Sequence, residues 1–282
     1  MPLNLGDKIQ DFTSDSSQGK LSFYDYVGDR AWAILCSHPN DFTPVCSTEL
    51  GTLQRMLHKF EKRNCKVLAL SCDSSAAHRR WIEDINESGY CGKGSSGVSY
   101  PILADEERAL AVKFGMLDPH EKDEKGMPTT CRAVFVIDCD KVLRATILYP
   151  ASTGRNFYEI LRVIDSLQLT DEYPVATPAD WERGEKVMVT PSTPDEVAQV
   201  VLGKFDVIEV PSKKKYLRLV HDPSHKTPRA AKKTFWEYVL GDNIGLDKKA
   251  NYVRLGASFV SGFLFRSIFF QTTNKKEKSR NK

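Results

Sequence analysis

Residues Ser37–Leu50 read SHPNDFTPVCSTEL and set a thiol just behind a Thr-Pro pair. Thr43 is a good N-cap residue, and Pro44 suits the first helical position, where its missing N–H is not needed. Cys46 therefore falls in the first turn of a helix expected over 44–61. Unpaired N–H groups and the positive end of the helix dipole surround a sulfur in that place. Both favour the thiolate, which is the nucleophilic form. The opposing reading is a cysteine that merely packs. The Thr-Pro context and nearby His38 favour the reactive one.

The elements that must position this sulfur follow from hydrophobic periodicity. AWAILCS (31–37) reads as a buried strand that delivers the turn at the carboxyl edge of a sheet, where sites in α/β proteins lie. Leu50, Leu53, Leu57 and Phe60 then fall at helical spacing. KVLALSC (66–72) is a second buried strand, and 75–86 is helical with Trp81 and Ile85 on one face. YPILAD gives a short strand or turn, and 106–114 a helix. CRAVFVID (131–138) and VLRATILY (142–149) form two strands joined by a turn at 138–141. A helix over 154–168 packs through Phe157, Ile160, Leu161 and Ile164. This order predicts an α/β fold with a central mixed sheet flanked by helices. Prolines punctuate 170–222, where helix is confined to 194–202 and PSKKKYLRLV reads as a hairpin-like edge. Three segments result: 1–168, a smaller unit over 169–222, and a basic extension over 223–282.

Composition narrows the chemistry. The 282 residues are 41% apolar and 27% charged, ordinary for a globular protein. Residues 1–222 carry 27 Lys and Arg against 33 Asp and Glu, whereas 223–282 carry 13 against 4. A mildly acidic body argues against nucleic-acid binding, and the basic extension stands apart from it. The seven cysteines include no C-x-x-C pair, which excludes a thioredoxin-type dithiol and a zinc ribbon. Cys36, Cys65, Cys72 and Cys131 lie in apolar strands and read as packing residues. Cys91, in a Gly/Ser-rich loop, and Cys139, in a turn, are the two expected to be exposed. The N-terminus has no basic start followed by an apolar run, so a cytoplasmic protein with reduced thiols is expected. The six histidines fall at no ligand spacing, and neither a metal nor a prosthetic cofactor is expected.

HPNDFTPVCSTEL carries P-x-x-x-T-x-x-C as Pro39, Thr43 and Cys46, and it resembles the active-site motif of the peroxiredoxins. GMLDPHEKDEKGMPTTCRAVFVID, LYPASTGRNFYEILRVIDSLQLT, VATPADW and VMVTPSTP are similar, in order and spacing, to the one-cysteine subfamily of peroxiredoxin-6 type. The resemblance runs from about residue 3 to about 220. It implies a thioredoxin-like fold with a small C-terminal domain. It implies a thiol peroxidase acting on hydrogen peroxide and small organic hydroperoxides. In that reading Cys46 attacks the peroxide, the Thr43 hydroxyl bonds sulfur and peroxide, and Arg132 holds the thiolate charged. Pro39 shields the pocket, and His38, Arg155 and Glu49 take secondary positions. Such roles suit peroxide cleavage, which needs a thiolate and donors for the leaving oxygen. A homodimer and an external thiol reductant are also implied. Glutathione is the subfamily's usual donor, directly or through a glutathione transferase.

No cysteine follows Cys139, so a far-downstream resolving cysteine is excluded. Cys91, Cys139 or an external thiol remain, and the external thiol is favoured. The alternative classes are a slow peroxide-sensing or chaperone-like protein and a lipid-interacting module. Some relatives carry a lipase serine in a Gly-Asp-Ser-Trp-Gly stretch. Here Arg30 or Ala31 takes that place, and Tyr24 stands near where its histidine would be, so no such lipase is expected. In the extension, Leu255–Phe265 is an uncharged run of 11 residues, short for a bilayer span of about 20. An interfacial contact with membrane through 252–282, a marginal anchor, and a solvated appendage all remain open.

Overall fold

The computed structural model describes residues 2–225. The expectations for the basic extension fall on residues 226–282 and so lie outside the described residues. Among those described, no helix is long and apolar enough to cross a membrane. The chain divides into two units, Met1–Leu167 and Gln168 onward.

The first unit opens with short strands β1 (Thr13–Ser16) and β2 (Leu21–Ser22) and helix α1 (Phe23–Val27). Strand β3 (Trp32–Ser37), helix α2 (Pro44–Glu61), strand β4 (Cys65–Ser71), helix α3 (Ser75–Glu87) and strand β5 (Ile102–Ala104) follow. Helix α4 (Ala109–Phe114), hairpin β6 (Leu117–Lys122) and β7 (Pro128–Thr130), strands β8 (Arg132–Ile137) and β9 (Leu143–Tyr149), and helix α5 (Phe157–Glu172) complete the series. The seven-stranded sheet runs β2-β1-β5-β4-β3-β8-β9. β3, β4 and β5 are parallel, while β8 lies antiparallel to β3 and β9 to β8. This is the expected mixed sheet.

Strand alternation splits the interior into two cores. Ile34, Cys36, Val67, Ala69, Val134 and Val136 face one way and meet α2, α3 and α5. Ala33, Leu35, Leu68, Leu70, Ala133 and Phe135 face the other and meet Phe23, Leu110 and Phe114. Both faces are buried, as the nearly unbroken apolar runs of β3, β4 and β8 require. On α2 the buried stripe is Cys46, Leu50, Leu53, Met56 and Phe60, with Leu57 only partly covered.

Two helix starts differ from the periodicity, each for a local reason. α4 starts at Ala109 because Arg108 adopts a left-handed φ of 57° and the Asp105 carboxylate accepts from the N–H groups of Leu110 and Ala111. α5 starts at Phe157 because the backbone N–H of Arg155 is committed to Glu49, and Asn156 Oδ1 accepts from Tyr158 N at 3.0 Å. β1, β2, β6 and β7 were not legible, since short polar strands show no alternation.

The second unit pairs β10 (Val175–Ala176), β11 (Lys186–Val189), β13 (Arg218–His221) and β12 (Asp206–Val207) in that order, with helix α6 (Asp195–Leu202). Trp181, Val187, Val189, Ala198 and Val220 make its core. The expected hairpin-like edge is corrected: only Arg218–His221 is strand, and it lies between β11 and β12.

One glycine fixes how closely a loop covers α2. A Cβ at Gly51 would stand 2.5 Å from Tyr90 Cβ and 3.1 Å from its carbonyl carbon. Gly51→Ala should therefore destabilise the protein by about 1–3 kcal/mol, since overpacked backbone cannot move aside cheaply. Urea unfolding measures it, and an unchanged midpoint contradicts the close approach.

Candidate active site

The Thr43 backbone is extended (φ −115°, ψ 147°) and Pro44 opens α2, so Cys46 lies in the first turn. Ser47 N–H is the first to reach back into the helix, bonding Thr43 O at 3.0 Å. The Thr43 hydroxyl makes no cap bond; it donates to Asn40 O at 2.9 Å. The Cys46 side chain is buried, in the core between α2 and the sheet.

Arg132 begins β8, next to β3 in the sheet, and its guanidinium reaches the sulfur. Nη1 donates to Cys46 Sγ at 3.2 Å and to Glu49 Oε2 at 2.9 Å. Nε and Nη2 both donate to Ala151 O, at 2.9 and 2.6 Å. Arg155 grips Glu49 from the other side. Its backbone N and Nε donate to Oε1 at 2.6 and 3.0 Å, and Nη2 to Oε2 at 2.8 Å. Nη1 reaches Ser37 O and Ala133 O, the main chains of β3 and β8, at 2.8 and 2.9 Å. Glu49 sits three residues after Cys46, on the same side of α2. Burial pushes its carboxyl upward, but Arg155, by charge and hydrogen bonds, and then Arg132 outweigh this and hold it below the ordinary value. Two guanidiniums thus face one carboxylate.

Pro39 is buried beside this cluster's loop. His38 is buried too, but its Nε2 pairs with Asp41 Oδ1 at 2.9 Å rather than with the sulfur. Its Nδ1 has no hydrogen-bond partner among the described residues. Two histidines distant in sequence nevertheless meet at one carboxylate. Asp41 binds His38 and also His78 Nδ1, at 2.7 Å, because α3 packs beside the loop. Burial would raise Asp41, yet hydrogen bonds from both histidines bring it down to about 2. Donor atoms of His38, Asp41 and Asp73 lie within 4.8 Å of one another, a spacing a metal ion could use. Those carboxylates already have protein partners, however: both histidines on Asp41, and Asp41 N and Ser71 Oγ on Asp73. Sequence reasoning passed over Asp41 and His78; the i, i+3 pair His78–Trp81 on one helical face was the available signal.

The other thiols divide by burial. It pushes Cys36 and Cys72 up to about 11 and also raises Cys65, Cys91 and Cys131. Cys91, expected to be exposed, packs in the core with α2 and α3. Cys139 is half-buried, and Cys72 lies just past the end of β4 rather than inside it. At the place of the relatives' lipase serine, Arg30 is exposed and Ala31 buried, and the Tyr24 hydroxyl is donated to Ile9 O at 2.7 Å.

Residues 5–146 match the AhpC/TSA family, and residues 166–204 match the C-terminal domain of 1-Cys peroxiredoxin. A 1-Cys peroxiredoxin of Dirofilaria immitis is 50% identical over 229 residues, 78% of this chain and 97% of that one. The crystal structure of a cysteine-to-serine mutant of peroxiredoxin 6 from Arenicola marina superposes with a TM-score of 0.75 at 51% identity, covering 79% of this chain and 99% of that one. The yeast mitochondrial 1-Cys peroxiredoxin, solved for its thiol resolving mechanism via glutathione/thioredoxin systems, gives 0.68 at 38% identity, covering 78% and 99%. A helix-borne thiol under a guanidinium, on this fold and at this identity, makes the chain a member of the 1-Cys peroxiredoxins of the AhpC/TSA family, a thioredoxin-like thiol peroxidase of peroxiredoxin-6 type.

Proposed function

We propose that Cys46 is the nucleophile of this peroxidase and that Arg132, Arg155 and Glu49 supply its charge. The observation that carries the reading is the pairing at Sγ. Arg132 and Arg155 share one carboxylate, so one positive charge is left over, and Arg132 Nη1 directs it at the sulfur from 3.2 Å. A buried cation demands a counter-charge, and a Cys46 thiolate provides it. The sulfur lone pair attacks the near peroxide oxygen, the O–O bond breaks, and the departing oxygen takes a proton. Arg132 stabilises charge on that departing oxygen. Thr43 and Pro39 shape the pocket, the threonine as a donor to the peroxide once its hydroxyl turns from Asn40 O. His38 supports the loop between them.

The sulfenic acid formed is reduced by an external thiol, and the behaviour of the yeast relative supports glutathione or thioredoxin as donor classes. One thiol condenses with the sulfenic acid to give a mixed disulfide and water. A second releases Cys46 and leaves as the oxidised disulfide. Burial of Cys91 supports an external donor over that cysteine. A homodimer through β9 is part of this reading. β9 is one of the two outer strands of the sheet, and its Leu148 is 56% exposed. Such an edge is a template for pairing.

Cys46→Ser should abolish peroxide reduction, whereas Cys91→Ser and Cys139→Ser should keep it. A coupled assay with thiol donor measures this, and loss of turnover in either of the latter two refutes external resolution. Glu49→Gln should lower the peroxide rate constant by about tenfold or more, since it alters the charge and geometry that stabilise the transition state. Its stability should also lose pH dependence. The folded carboxyl titrates below its ordinary value of 4.5, so its contribution is present above that pH and lost as pH falls. The glutamine variant should show a shallower acid decline in urea unfolding, and an identical slope contradicts the charge pairing. Leu148→Glu should shift sedimenting mass from dimer to monomer; an unchanged dimer points to another face.

A further inference from the structure

The second unit carries a charged and apolar edge that peroxide reduction does not use. β12 is an outer strand of its sheet and pairs with β13, Asp206 opposite Leu219 and Val207 opposite Arg218. The pairing runs one step further, with Ile208 N donating to Leu217 O at 2.9 Å. The loop between them turns where Lys213 N donates to Val210 O, also at 2.9 Å. The base of this edge is anchored. Arg218 is buried, donates to Asp195 Oδ1 at 2.6 Å and to Thr190 O at 2.7 Å, and lies over the Phe205 ring.

The loop itself is open. Val207, Ile208 and Tyr216 are 41%, 44% and 53% exposed. Lys213, Lys214 and Lys215 are exposed as well, with no ion pair among the described residues. Asp206 is taken by Lys186 at 2.7 Å, which leaves Glu209 as the one other acid of 204–216 against four lysines. Lys213 adopts a left-handed φ of 56°, a conformation that suits glycine. A lysine there keeps three charges in a row at a local backbone cost. Exposed apolar residues scattered singly need no explanation, but three on one loop beside unpaired cations do. That combination fits the headgroup layer of a bilayer. Apolar tips enter the acyl boundary, ammonium groups stay with phosphate, and tyrosine lies at the level between. The chain that follows has the same character. The described residues end at His225, and 226–282 carry 13 Lys and Arg against 4 Asp and Glu, with the uncharged run Leu255–Phe265. This extension leaves the far end of β13, about 13 Å from the loop for a four-residue strand.

We propose that the loop joining β12 to β13 docks the protein on an anionic phospholipid surface, with Lys213, Lys214, Lys215, Ile208 and Tyr216 as its contacts. The contact consists of charge attraction and shallow apolar insertion, and it involves no covalent step. It lies in the second unit, outside the stretch around 24–31 where some relatives carry lipase residues, and it needs no hydrolysis. Residues 1–222 carry more acid than base, so an anionic leaflet repels the body as a whole. The lysine loop, helped by the extension, therefore sets which face approaches.

The test uses the full chain and two kinds of vesicle, phosphatidylcholine alone and phosphatidylcholine mixed with phosphatidylserine. Cosedimentation measures binding. The parent should bind the mixed vesicles and not the neutral ones, and added salt should weaken the binding. Changing Lys213→Gln, Lys214→Gln and Lys215→Gln together should weaken it about a hundredfold, at the attraction an anionic leaflet exerts on each lysine. Ile208→Ser with Tyr216→Ser should weaken it about tenfold, since apolar insertion supplies the rest. Both variants should reduce hydrogen peroxide in vesicle-free solution at the parent's rate, which shows that they are folded. Should the serine variant lose that activity, the glutamine variant decides the matter, because its three side chains are exposed. Equal binding of parent and glutamine variant overturns the proposal and leaves any lipid contact to 226–282. Equal binding to both kinds of vesicle overturns it too. Retention on heparin without binding to the mixed vesicles overturns lipid as the partner.

Discussion

Two arginines and a glutamate buried together impose an arithmetic of charge on this protein. Arg132 and Arg155 are 3% and 7% exposed, and Glu49, at 4%, is the carboxylate both hold. In a low-dielectric interior an unmatched cation is expensive, and the surrounding structure is organised to supply what matches it. Backbone carbonyls of Ser37, Ala133 and Ala151 take the remaining guanidinium protons. The remaining donor contact of Arg132 Nη1 falls on the Cys46 sulfur, at 3.2 Å. The arginines thus set one thiol of the core against a guanidinium, while burial raises the titration of Cys36, Cys65, Cys91 and Cys131.

The sheet makes that arrangement possible. β3 ends at Ser37, just before the loop to α2, while β8 starts at Arg132, and the antiparallel pairing of the two strands brings those ends together. Ser37 Oγ donates to Cys131 O at 2.6 Å and accepts from Ala133 N at 3.0 Å, closing the seam below the site. α2 and α5 share one core on that face, so Cys46 and Glu49 from one and Arg155 from the entry to the other converge without a long loop. The N-terminal end of α2 and the Arg132 guanidinium meet at the same sulfur.

Much of this was legible in the residues. α2 was readable to its ends because Thr43 and Pro44 mark its start and an apolar stripe runs along it. β3, β4 and β8 were readable because strands buried on both faces are continuously apolar. Thr43 and Cys46 could be named from the helix start itself, whereas Arg132, Arg155 and Glu49 came only with the family resemblance. What could not be read was partnership. Nothing in the spacing of His38, Asp41 and His78 announces that one carboxylate serves two imidazoles, since 37 residues separate Asp41 from His78 and only the packing of α3 joins them. The Thr43 hydroxyl was expected at the sulfur and is instead turned to Asn40 O, a matter of one rotamer. Cys91 looked exposed because its loop is rich in glycine and serine, yet close approach of that loop to Gly51 buries it.

The carbonyl of Ala151 holds two of Arg132's nitrogens, and four residues later the chain supplies Arg155. The short link between β9 and α5 is therefore part of the charge cluster beside Cys46. Surface connections of this kind ordinarily gain and lose residues freely in evolution. Here a single insertion would swing one guanidinium's anchor away from the other's root, so descendants of this chain should vary the composition of 150–156 long before they vary its length.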